Sequence, residues 1–131
     1  MQRVATTRPI AKAKTIAIWI MRIVLGLAFI AFAVMKLSGQ PEMVAEFELV
    51  GLGQWFRHFT GILELIGGIA LLVPRTSIMA ALLLLAVDVG AFIAQVTVLH
   101  IDWIHTVVLG AIIVLLIYLQ RAGTAQLRGG R

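Results

Sequence analysis

The stretch "FTGILELIGGIALLVP", Phe59 to Pro74, decides how the rest of the chain is read. It is almost wholly apolar and, with its flanks, approaches the roughly twenty residues that cross a hydrocarbon core as a helix. Yet it carries Glu64 near its middle, framed by Gly61, Gly67 and Gly68. On a helix Gly61, Glu64 and Gly68 fall on one face. Small residues there let a neighbouring helix approach closely, which turns the carboxylate toward protein and away from lipid.

Working outward, the whole chain shares this character. Of its 131 residues 61% are hydrophobic and only 13% charged, and the mean hydropathy is +1.04. A soluble domain this small could not cover that much apolar surface, so the bilayer is the natural solvent. The chain has no cysteine, which excludes disulfides, thiol redox chemistry and any thiolate metal site within it. The net charge of +5 resides largely in the tails, at Arg3, Arg8, Lys12 and Lys14 and at Arg121, Arg128 and Arg131. Basic residues flanking membrane segments meet lipid headgroups, and no folded basic face remains to bind nucleic acid.

Four apolar runs appear, Thr15–Leu37, Trp55–Val73, Ser77–Leu99 and Trp103–Gln120. They predict an all-α, integral membrane four-helix bundle over residues 15–120, between basic cytoplasmic tails at 1–14 and 121–131. The first run is too long for a signal-peptide core and contains Arg22, so it is read as a retained span. Arg75 in the middle connection, set against acidic outer connections, places both termini and that connection in the cytoplasm of a bacterial cell. Trp19 and Tyr118 then lie at the inner interface, and Trp55 and Trp103 at the outer one. Between the first two spans, Pro41 suits a first helical position, and Met43, Val44, Phe47 and Val50 recur at helical spacing. Pro41–Val50 is therefore read as a short interfacial amphipathic helix with its acids toward water, ended by Gly51 or Gly53.

The stripe through Glu64 has counterparts. Ala81, Leu84, Asp88, Ala91 and Gln95 follow it on the third span, and Arg22, Gly26, Phe29, Ala33 and Lys36 on the first. The fourth span has only Thr106 and Gly110 on such a stripe and reads as a buttress. At about 1.5 Å per residue, Arg22, Glu64 and Asp88 lie roughly 12, 15 and 18 Å from the cytoplasmic ends of their helices. A mid-membrane charge costs about 2.5–3.5 kcal/mol on insertion scales. Pairing Arg22 with Glu64, Asp88 or both is the cheaper arrangement. One acid is then left over: it is protonated, or Lys36 reaches inward to it, or water enters. The expected polar centre is Arg22, Glu64 and Asp88, with Lys36 and Gln95 toward the outside. Gly26, Gly61 and Gly68 serve helix packing. The same charges could instead only fix helix register.

"RIVLGLAFIAFAVMKL" (22–37), Pro41, "FELVGLGQWF" (47–56) and "GILELIGGIALLVP" (61–74) together resemble the DoxX-like family of small four-helix membrane proteins. That resemblance implies that Arg22, Lys36, Gly61 and Glu64 are characteristic polar positions; Ala33 departs from a frequent Gly. It implies a link to membrane redox complexes or to assembly of partner proteins. The leading functional reading is a non-catalytic or quinone-contacting subunit of a membrane oxidoreductase system, with a membrane redox complex or a second copy of the chain as partner. The alternatives are a scaffold or assembly factor, and a small-solute or proton transporter, although the broken helices and internal duplication usual in transporters are not evident. His100, Asp102 and His105 in "HIDWIH" are metal-ligand types, but short outer loops use His for interfacial hydrogen bonds, and no metal site is assigned. His58, His100 and His105 all lie near the outer surface, which disfavours a mid-membrane haem.

Overall fold

The computed structural model describes the backbone of residues 2–100 and 103–129 and the side chains of 11–100 and 103–121. Among the described residues every regular element is helical: α1 (Gln2–Leu37), α2 (Pro41–Val50), α3 (Gln54–Leu72), α4 (Ser77–Ala94) and α5 (Ile104–Gly129). A 3₁₀ turn, Pro74–Thr76, joins α3 to α4, and a π-helical turn, Gln95–Leu99, extends α4. Four helical stretches are long and apolar enough to cross a membrane: Ala11–Leu37, Gln54–Leu72, Pro74–Leu99 and Ile104–Arg121.

The helices α1, α3, α4 and α5 pack in a ring, each against the next and α5 back onto α1. The short α2 lies across one end, against α3 and the π turn. Its bounds follow from local chemistry. Pro41 opens it with φ already set, and Gly51 closes it at φ 83°, where its N–H reaches the Phe47 carbonyl at 3.3 Å.

Glycines set the closest approach of α1 and α3. A Cβ on Gly68 would lie 2.9 Å from the Gly26 carbonyl oxygen, and one on Gly26 would lie 3.0 Å from that of Gly68. Backbone therefore rests on backbone at this crossing, as small residues permit in membrane helix pairs. Leu25, Phe29, Leu71, Ala80, Ala81, Leu84, Ile113 and Leu116 form the closed core. All but Phe29 lie in the half of the bundle nearest the chain termini. Outward, large side chains such as Met79, Leu49 and Tyr118 are exposed at 72%, 65% and 67%. A surface that apolar is solvated by lipid tails, not by water.

Candidate functional site

Toward α2 the helices diverge, and a cavity of about 530 Å³ opens between them. Phe29, Phe32, Phe47, Phe56 and Leu63 make much of its wall apolar; Lys36, Glu46, Glu64, Asp88, Gln95, His105 and Thr106 bring polar groups to it. All five helices contribute. A volume of this size and a mostly apolar wall with few polar groups are the features of small-molecule sites.

Glu64 is 3% exposed and its Oε1 accepts from Lys36 Nζ at 2.7 Å. Gly61 makes that pairing possible: a Cβ there would meet Leu37 at 3.0 Å and Lys36 at 3.2 Å, so the end of α1 sits directly over the first turns of α3. Lys36 also lies 5.9 Å from the Phe32 ring centroid. Asp88, 7% exposed, faces the cavity from α4. Among the described residues it has neither an ion-pair nor a hydrogen-bond partner. A Cβ on Gly110 would lie 2.7 Å from Asp88 Oδ2, so the glycine leaves the space that the carboxylate occupies. The π turn presents Gln95, whose Oε1 accepts from Thr106 Oγ1 at 2.5 Å and whose Nε2 lies 3.5 Å from His105 Nε2. The fourth span thus supplies His105 and Thr106 to the cavity wall and is more than a buttress.

Two expectations need correcting. The predicted pairing of Arg22 with Glu64 or Asp88 is not formed. Arg22 is 3% exposed, but its Nε donates to the Leu71 carbonyl at 2.9 Å and its guanidinium stacks 4.1 Å from the Trp19 ring centroid. Lys14 and Pro74, the ends from which the depths of Arg22 and Glu64 are counted, are not level with one another. Gly26 is twelve residues beyond Lys14, whereas Gly68 is only six before Pro74. Because these glycines touch, Lys14 projects roughly 9 Å beyond the end of α3, and Arg22 lies level with Leu71, not Glu64. Glu64 is about 10 Å deeper along α3 than Leu71. Arg22 instead binds a carbonyl in the last turn of α3, where helical carbonyls lack partners and the dipole favours a cation.

The second correction concerns α2. Glu42 and Glu48 are exposed, but Glu46 turns into the cavity roof. Burial pushes its carboxyl above the ordinary range, and Lys36 and His105 partly offset that push. The signal was present, since Met43, Glu46, Phe47 and Val50 share a helical face. Arg57, 7% exposed, was also overlooked, although Arg57, Gly61 and Glu64 form one stripe. Its Nη1 donates to the Lys36 carbonyl and its Nε to Gln54 Oε1 at 2.8 Å, while Gln54 Nε2 donates to the Val44 carbonyl at 3.0 Å. Arg57 thereby holds together the end of α1, the start of α3 and, through Gln54, α2. His100 lies at the end of the π turn with φ 52°, and Asp102 lies outside the described residues. No metal-binding cluster of three ligand residues occurs among the described residues.

The profile of the DoxX-like family matches residues 20–130, from the middle of α1 to the end of α5. The chain belongs to the DoxX-like family. In this DoxX-like protein the positions that the resemblance singles out divide between two places. Lys36, Gly61 and Glu64 build the cavity's ion pair, and Arg22 ties α1 to the far end of α3. No curated protein and no protein of solved structure matches this DoxX-like chain at a significant level.

Proposed function

We propose that this small multi-pass membrane protein is a non-catalytic subunit of a membrane oxidoreductase system, and that its cavity receives a lipid-soluble quinone. In this reading it lies in a bacterial cytoplasmic membrane with both termini inside, and α2 lies on the outer face. The observation that carries the reading is the cavity beneath α2. A largely apolar space matches a quinone ring, and donors and acceptors at its edge match the ring's two oxygens. Lys36 is a donor toward a quinone carbonyl, and the carboxylate of Asp88 is an acceptor toward a quinol hydroxyl. With no cysteine in the chain, electrons would enter and leave through a partner, and this chain would hold and orient the ligand.

The test is binding by the detergent-purified full chain. Wild type should co-purify with quinone, or bind added quinone with saturation. Thr60→Trp, which fills the cavity from α3, should abolish that binding while the far-ultraviolet circular dichroism stays helical. If wild type neither retains nor binds quinone, the redox reading fails and the scaffold and transporter alternatives are left.

A further inference from the structure

The cavity is not closed on the side of the bilayer. The α3 and α4 helices are tight at their joined ends, where a Cβ on Gly67 would lie 2.6 Å from Leu84. Farther from the turn they part. Phe59 on α3 and Ala86 and Gly90 on α4 line the cavity, yet all three are exposed. A side chain at Gly90 would meet nothing within 4 Å. These residues lie well inside their spans, Gln54–Leu72 and Pro74–Leu99, so lipid is what meets them. The rim is apolar, and the polar groups stand behind it: the Lys36–Glu64 pair and, buried without a hydrogen-bond partner among the described residues, Asp88.

We propose that the cavity is loaded sideways from the bilayer, through the mouth between α3 and α4, and that its ligand has two parts. A polar, ring-sized head lies against Asp88 and the Lys36–Glu64 pair, and an apolar tail runs out past Gly90 into lipid. This rests on the reading of the cavity as a ligand site and adds to it a route and a ligand architecture. The apolar rim has no group to recognise the tail, and tail and lipid are equally apolar. The mouth therefore discriminates by size alone: it must be open wherever a tailed head is seated. A second groove, on the other flank of α4, also reaches Asp88 and is lined by Val107, Gly110 and Ala111. It is the competing exit.

The experiment compares two probes on the full chain in nanodiscs: a tailless methoxylated benzoquinone, and the same head bearing a decyl tail. In Gly90→Phe the tailed probe should lose about tenfold or more in affinity, the effect of roughly 1.4 kcal/mol, while the tailless probe changes less than about twofold. Ala111→Phe, on the competing groove, should leave both probes as in wild type. Loss of the tailed probe in Ala111→Phe but not in Gly90→Phe would overturn the route, as would equal loss of both probes in Gly90→Phe. Failure of both probes to bind wild type would instead remove the ligand site itself.

Discussion

In the half of the bundle nearest the termini, Gly26 rests on the backbone of Gly68 and Leu84 fills the space beside Gly67. In the half beneath α2, Gly90 on the same α4 helix faces open space. Both halves interrupt aliphatic side chains with glycine, but the half nearest the termini buries one charge, Arg22, whereas the half beneath α2 holds Lys36, Glu46, Arg57, Glu64 and Asp88. Where glycines on two helices oppose each other, the backbones touch and the core closes. Where the glycine has no opposing partner, the helices part and the polar groups face a cavity. Each half also has one buried arginine on a carbonyl near the end of a neighbouring helix, Arg22 on Leu71 and Arg57 on Lys36. Both ends are therefore fixed, and the hollow half is a built feature rather than a frayed one.

The largest effect is expected at the ion pair of the hollow half. Lys36→Met leaves Glu64 buried without its cation and should destabilise the protein by about 3 kcal/mol, the low end for a broken buried pair because Lys36 keeps some exposure. The double variant Lys36→Met/Glu64→Leu should recover most of that loss. Unfolding in mixed micelles reads both values. If the single and double variants are equally unstable, the pair does not act as a unit.

Alanine at the glycines sharpens the contrast between the halves. Gly68→Ala forces a methyl against the Gly26 carbonyl and Ile30 and should cost about 1–3 kcal/mol. Gly90→Ala meets no atom and should be neutral or stabilise by up to about 1 kcal/mol through helix propensity. The same unfolding assay decides between them, and equal effects would mean that the halves are packed alike.

The smallest effect belongs to the cavity roof. Burial raises the Glu46 carboxyl above its ordinary 4.5, with Glu42 adding to the shift and Lys36 and His105 opposing it. The folded state therefore binds this proton more tightly than the unfolded one. The corresponding stability is fully present below 4.5 and is lost as pH rises through the raised value. Glu46→Gln should flatten that part of the pH profile of thermal melting, and an unchanged profile would place Glu46 in water.

Much of this was legible in the sequence. Hydropathy marked the four spans, and Pro41 and Gly51 bounded α2, because these signals are local and a few residues suffice to read them. The cluster of Glu64, Asp88, Lys36 and Gln95 around one space also followed from helical spacing. Lys36 reaching inward to an acid was one of the alternatives left open, and it forms with Glu64; the favoured pairing of an acid with Arg22 does not. Register between helices depends on where backbones touch, and the Gly26–Gly68 contact moves Arg22 a full turn or more away from where counting from Lys14 put it. Glu46 and Arg57 were missed as well. Glu46 was read with the acids of a surface helix, toward water, and Arg57, inside the Trp55–Val73 run, was given no role, although the helical stripe of each already pointed inward.

Because the chain has no cysteine, a single introduced thiol reports its own surroundings, and this gives the most direct test that the α2-side half is hollow and holds a lipid-soluble ligand. Ala94→Cys places a thiol on the cavity wall, and Ala81→Cys places one in the closed core. With a small membrane-permeant maleimide on intact vesicles, the Ala94→Cys variant should label readily, and a decyl-tailed quinone should slow that labelling in proportion to occupancy. The Ala81→Cys variant should stay unreactive. Equal labelling of the two variants, or labelling of Ala94→Cys that no quinone concentration slows, would contradict the account.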